Sequence, residues 1–151
     1  MVVVHYAGWG CDMDKIVEIC DRHHIILLED AAQAINSFYK EKPLGTFGSM
    51  SAFSFHETKN INCGEGGMIV INDEKYIQRA EILREKGTNR TSFFKGEIQK
   101  YEWIDIGSSY LLSEINVAYL YPQFQDIDII IQERGKLWKT YFRLLRGGSK
   151  Y

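Results

Sequence analysis

The chain has 151 residues, 45% of them hydrophobic, and its 18 basic and 20 acidic side chains leave a formal net charge of −2. That length fits about one globular domain, able to bury about 70% of the surface its unfolded form exposes. The mixed, nearly balanced charge lacks the basic footprint of a nucleic-acid or anionic-membrane binder. No run approaches the ~20 apolar residues of a membrane span. The opening Met-Val-Val-Val-His-Tyr-Ala-Gly has no basic segment and only a short apolar run, which does not read as a signal peptide. The three cysteines, Cys11, Cys20 and Cys63, are odd in number and lack CxxC spacing. That argues against a disulfide framework or a metal site, and the cytoplasm is the expected compartment.

In chain order, residues 2–6 form a β-branched run that reads as a buried strand, followed by a turn at Ala7-Gly8-Trp9-Gly10. Asp12 can cap a helix on which Met13, Ile16, Val17, Ile19 and Cys20 recur at helical spacing. Ile25-Ile26-Leu27-Leu28 reads as a second buried strand ending at Glu29-Asp30. Strand, helix and strand in about 28 residues make a βαβ unit with parallel strands. A small hairpin is expected around Lys42-Pro43-Leu44-Gly45, a strand over residues 51–55, a backbone turn at Gly64-Glu65-Gly66-Gly67 and a strand over residues 68–71. A helix over residues 74–86 should turn Ile77, Ala80 and Leu83 to the core and stop at Gly87. Residues 88–108 read as an extended loop exposing Phe93, Phe94, Tyr101 and Trp103. Helical periodicity returns at Tyr110, Pro122 should break or kink it, and a last helix is expected over residues 125–145.

Ligands of open α/β sheets sit outside the carboxyl ends of the parallel strands. Three polar clusters fall there: Glu29-Asp30-Ala31-Ala32-Gln33, Ser54 to Lys59, and Cys63 to Gly67. Read singly, each residue has an ordinary alternative. Asp30 can be a structural carboxylate, Ser54 a cap for backbone groups, Lys59 a solvated charge and His5 a packed core histidine.

Jointly they carry more. The segments Val4-His5-Tyr6-Ala7-Gly8, Glu29-Asp30-Ala31-Ala32-Gln33-Ala34, Phe53-Ser54-Phe55-His56-Glu57-Thr58-Lys59-Asn60 and Gly64-Glu65-Gly66-Gly67 resemble the DegT/DnrJ/EryC1/StrS family of pyridoxal-phosphate (PLP) dependent sugar aminotransferases. Glu85-Lys86-Gly87-Thr88-Asn89-Arg90 and Asp105-Ile106-Gly107-Ser108-Ser109-Tyr110 are most similar to the subgroup that aminates dTDP-4-keto-6-deoxyglucose. The resemblance implies the large domain of a three-layer α/β/α fold-type-I transferase with a mostly parallel sheet. Residues 1–108 would be the C-terminal part of that domain, and residues 109–151 helices leading towards a small domain. Residues 1–151 would then be an internal portion of a longer enzyme.

The resemblance also implies roles. Lys59 would hold PLP as a Schiff base and shuttle a proton, since an amine is nucleophilic when neutral and acidic when protonated. Asp30 would face the pyridine nitrogen and keep it protonated. Gln33 would lie near the ring's phenolic oxygen, and Ser54 would donate to the phosphate. His56 and Asn60 flank the lysine. Ser108 and Ser109 stand where many relatives carry an Asn that reaches a neighbouring subunit's cofactor. The implied reaction moves an amino group, with glutamate as donor, onto a dTDP-4-keto-6-deoxyhexose in surface-polysaccharide or deoxyaminosugar synthesis. A homodimer with shared sites is implied, with no nucleic-acid or membrane partner. A related dehydratase branch replaces the Schiff-base lysine with histidine, and Lys59 argues against it. The competing expectation is an inactive remnant or split-gene product that serves as a packing module.

Overall fold

The computed structural model describes residues 1–146. Its strands are β1 (Val2–Val4), β2 (Leu28–Asp30), β3 (Phe38–Tyr39), β4 (Lys42–Pro43), β5 (Met50–Ser54) and β6 (Gly67–Ile71), and its helices are α1 (Met13–Arg22), α2 (Ile77–Arg84), α3 (Arg90–Phe94), α4 (Glu114–Gln125) and α5 (Ile127–Arg146). Four strands form one sheet in the order β1-β2-β5-β6, and β3-β4 is a separate hairpin. β1, β2 and β5 run parallel, while β6 runs antiparallel to β5. The expected mostly parallel α/β sheet is therefore present, with one antiparallel edge strand. Register aligns Val4, Asp30 and Ala52 across the parallel strands and sets Ser54 opposite Gly67. One edge of the sheet thus gathers the ends of three strands and the start of a fourth.

The N-terminal crossover forms as its pattern dictates. Asp12 accepts from the Lys15 amide and starts α1, whose Met13 and Cys20 are buried. These pack with Val3, Leu27, Ala31, Ala34 and Leu44 into one core. Full burial of residues 2–6 is not borne out. Side chains alternate across a strand, so Val3 and His5 are buried while Val2 is 64% and Val4 is 52% exposed. The second strand also lies later than its apolar run. Ile25 donates its amide to Cys20 and His24 donates to Asp21, with His24 in the left-handed region at φ 53°. This is a Schellman exit from α1. It consumes Ile25 and Ile26, so pairing begins only at Leu28.

The hairpin turns at Lys40-Glu41, both at positive φ, two residues before the expected place. Such a turn favours Asn-Gly, and Lys-Glu gives no such signal in the sequence. α2 stops at Arg84, short of Lys86, and buries none of its residues. Ile77 is 40% exposed, so the expected core face of this helix is only partly covered. Gly87 does mark the exit, at φ 76°, and donates to the Ile82 carbonyl. The loop after it contains one short helix, α3, with Phe93 against Phe94 and Tyr101. Trp103 and Phe94 are exposed as expected.

α4 begins at Glu114 rather than Tyr110 because Ser113 caps it through the Asn116 amide. Pro122 lies inside α4 and does not end it. It falls in the last turn, where the missing N–H removes a single bond, and the break comes at Asp126. α4 and α5 join the body through a second core of Phe55, Ile61, Cys63 and Leu120, flanked by Phe124, Ile127 and Ile130. Phe55 and Phe124 meet edge to face at 5.5 Å.

Candidate active site

The chain doubles back at the carboxyl edge of the sheet. After β1, residues Tyr6–Gly8 form a single 3₁₀ turn in which Ala7 adopts φ 54°. After β2, Asp30 Oδ1 accepts the Ala32 amide at 3.1 Å, an Asx turn that bends the chain out of the strand. After β5, Ser54 Oγ accepts the His56 amide at 3.3 Å, and Lys59 donates its own amide to the His56 carbonyl at 2.9 Å. These three turns converge. Ala7, Ala32, Gln33, Ile35, Thr58, Lys59 and Asn60 line a cleft of about 370 Å³, within the ~300–1,000 Å³ usual for small-molecule sites.

The site residues expected from the sequence take different places. Gln33, Lys59 and Asn60 line the cleft. Asp30 and Ser54 stand at the ends of β2 and β5 beside the turns that form it. His56, partly exposed, shares a hydrogen bond with Thr58 Oγ1 at 2.9 Å and lies 3.8 Å from Glu65. Ser108 and Ser109 lie outside all of these. They are exposed and are held by backbone bonds to the end of α2, including Ser108 N–H to Leu83 at 3.0 Å. No metal-binding cluster of His, Cys, Asp and Glu occurs among the described residues. None of the described helices is long and apolar enough to cross a membrane.

The polar inventory suits an aromatic, anionic cofactor. Gln33 Oε1 accepts the Ala7 amide at 2.7 Å, which orients the side chain and leaves its amide hydrogens to donate. Asp30 spends Oδ1 on Ala32 and keeps a second oxygen. Ser54 Oγ is used as an acceptor, so its hydrogen remains to donate. Lys59 forms no ion pair with any carboxylate of the described residues. The residue is half-buried and lines the cleft.

Sequence reasoning missed Glu29. It was legible only as the neighbour of Asp30, yet its carboxylate is fully buried and accepts from Gly45, Phe47 and Gly48 amides, each at 2.7 Å. His5 Nε2 lies 2.9 Å from the same carboxylate. A buried charge demands such partners, but three of them are backbone groups of a distant loop, which no motif announces.

Comparison with known proteins agrees with this fold. The DegT/DnrJ/EryC1/StrS aminotransferase family profile matches residues 1–150. An uncharacterized protein of Methanocaldococcus jannaschii is 35% identical over 93% of this chain and 37% of its own length. The UDP-4-amino-4,6-dideoxy-N-acetyl-beta-L-altrosamine transaminase of Helicobacter pylori is 32% identical over 97% of this chain and 38% of its own. Among solved structures, Helicobacter pylori PseC, an aminotransferase of pseudoaminic acid biosynthesis, superposes with TM-score 0.84 at 32% identity, over 94% of this chain and 37% of that one. An aminotransferase from Psychrobacter cryohalolentis superposes with TM-score 0.76 at 30% identity, over 84% and 33%. The chain thus spans little more than a third of the relatives it matches. With the profile running along nearly its whole length, the chain belongs to the DegT/DnrJ/EryC1/StrS aminotransferase family.

Proposed function

We propose that this chain is the cofactor-holding portion of a PLP-dependent sugar-nucleotide aminotransferase. The observation that carries the reading is the cleft that brings Lys59 and Gln33 together at the carboxyl edge of the sheet, with Asp30 and Ser54 on the adjoining strand ends. PLP, when bound, supplies an electron sink for negative charge developing at the amino donor's α-carbon. The chain's own residues do the rest. Lys59 anchors the cofactor covalently and carries a proton to and from the reacting carbon. Asp30 holds a proton on the ring nitrogen through its remaining oxygen. Gln33, oriented by Ala7, donates to the ring oxygen without adding charge. Ser54 donates to the phosphate. Asn60 shapes the wall beside Lys59, and His56 holds the Thr58 turn that delivers it.

The acceptor we infer is the keto carbon of a nucleoside-diphosphate 4-keto-6-deoxyhexose, with glutamate as donor. The motif resemblance supports a dTDP sugar, whereas the named Helicobacter relative acts in a UDP series. Both share amination at C4 of a 6-deoxy sugar. A neighbouring copy would complete the site, with residues 109–151 continuing towards a closing domain. The experiment is an amino-transfer assay on the purified full-length enzyme. Glutamate and each nucleotide-linked 4-keto sugar are supplied, and the amino sugar is read by mass spectrometry. Formation of a 4-amino sugar is the expected result. Turnover of neither sugar class would refute the substrate assignment.

One observation favours a second reading, an inactive remnant that serves as a packing module. Val2, Val4 and Ile69 lie exposed on one face of the sheet, a surface that invites association. Amino transfer by the isolated 151-residue chain would rule that reading out.

A further inference from the structure

The buried face of the sheet carries a polar network that draws on all four strands. His5 follows β1, Glu29 is the middle of β2, Ser51 lies in β5 and Asn72 follows β6. Glu29, Ser51 and Asn72 bond to the loop of residues 44–48, and His5 joins them through the Glu29 carboxylate. Glu29 takes the amides of Gly45, Phe47 and Gly48. Ser51 Oγ donates to the Gly45 carbonyl at 2.7 Å. Asn72 Nδ2 donates to the carbonyls of Gly48 at 2.8 Å and Gly45 at 3.1 Å. The His5 and Glu29 side chains are both 0% exposed, so neither can touch a ligand in the cleft. The carboxylate accepts, so the His5 ring donates from Nε2. Nδ1 is buried without a partner.

The network reaches the cleft through two short covalent paths. Glu29 precedes Asp30, and successive side chains on a strand point to opposite faces. Fixing Glu29 on the buried face therefore fixes the projection of Asp30 on the other. His5 donates its own amide to the Asp30 carbonyl at 3.0 Å and immediately precedes the Tyr6–Gly8 turn. In that turn Ala7 holds a left-handed φ of 54°, a conformation that costs a residue with a Cβ about 1–2 kcal/mol. It persists where its surroundings over-determine it. Ala7 is the residue that orients Gln33.

We propose that Glu29 and His5 are positioning residues of the active site. Together they lock β1 to β2 so that Asp30 and Gln33 are preset for the cofactor before it binds. The inference rests on the reading of Asp30 and Gln33 as cofactor-facing, and its test separates the two.

The variants are Glu29→Gln, His5→Leu and His5→Gln, with Cys20→Ala as a core truncation on the same face of the sheet. Glu29→Gln sets an amide hydrogen against incoming donors. His5→Leu removes the ring donor, and His5→Gln can restore it. The first readout needs no cofactor: the ¹H–¹⁵N amide signals of Ala7, which reports Gln33, and Ala32, which reports Asp30. Both signals should move in Glu29→Gln and His5→Leu, and stay in place in Cys20→Ala and His5→Gln. If only Gly45, Phe47 and Gly48 move in Glu29→Gln, Glu29 is a loop clamp and the proposal is wrong. Should Glu29→Gln fail to fold, the His5 pair decides: unchanged Ala7 and Ala32 signals in His5→Leu overturn the proposal. The second readout is PLP titration. Affinity should fall roughly tenfold in Glu29→Gln and His5→Leu, as when a supporting residue behind a binding group is lost, and recover in His5→Gln. A wild-type chain that takes up no PLP would refute the cofactor reading, while the amide signals would still decide the positioning role.

Discussion

Ala7 donates its amide to Gln33 Oε1 at 2.7 Å, so the turn after β1 orients a side chain rooted after β2. The bond spans the βαβ unit and fixes which end of the Gln33 amide faces the cleft.

Gln33→Ala should therefore impair cofactor binding more than folding. Gln33 is exposed, and exposed substitutions usually change stability by less than about 0.5 kcal/mol. Losing one hydrogen bond to the cofactor, worth about 0.5–1.5 kcal/mol, should weaken PLP binding about two- to tenfold. Spectrophotometric titration alongside thermal unfolding checks both halves.

Phe55→Ala should cost about 3–5 kcal/mol, the range for a buried aromatic truncated in a core. Phe55 is 2% exposed and is the contact that Phe124 of α4 meets edge to face. Urea unfolding should show the loss. Near-UV circular dichroism should show weakened aromatic signals as α4 loosens from the sheet.

Gly87→Ala should destabilise the exit of α2 by more than about 1 kcal/mol. Gly87 sits at φ 76°, and a Cβ there would lie 1.8 Å from the Asp105 carbonyl oxygen. That neighbour is backbone, so the 105–110 segment must move. Hydrogen exchange should speed at the amides of Ile104 and Asp105, which bond to the Gly87 carbonyl.

Acid should remove one fixed contribution to α1. The Lys15 ammonium, 2.8 Å from Asp12, holds the Asp12 carboxyl below its ordinary value of 3.8, with the Tyr39 hydroxyl and the Lys15 amide adding to the effect. A carboxylate depressed in the folded state stabilises fully above its unfolded value, and that stability is lost as pH falls through the folded value. Asp12→Asn should accordingly melt below wild type at neutral pH, and the gap should close as pH drops below 3.8. Salt should narrow it as well, because the pair is exposed.

Much of the site was legible because its residues are chemically specific and follow strands. Lys59, Gln33, Asp30 and Ser54 were picked out by the resemblance their motifs carry jointly, and the parallel sheet followed from strand, helix and strand. Features that depend on tertiary partners were not legible. The start of β2 was displaced by a helix exit through His24, at a positive φ that few residues other than glycine adopt. Pro122 was tolerated because of where α4 happens to end. Glu29 gave no sign, since its partners are amides of a loop, and His5 looked like any core histidine until Glu29 was placed beside it. Ser108 and Ser109 are exposed and are not among the residues that line the cleft.

Lys59 as the proposed anchoring amine is tested by borohydride reduction of the PLP-loaded protein followed by peptide mass spectrometry. A phosphopyridoxyl group is expected on Lys59 and is expected to be lost in Lys59→Ala. A label on another lysine, or no label on a protein that has taken up PLP, would contradict this role.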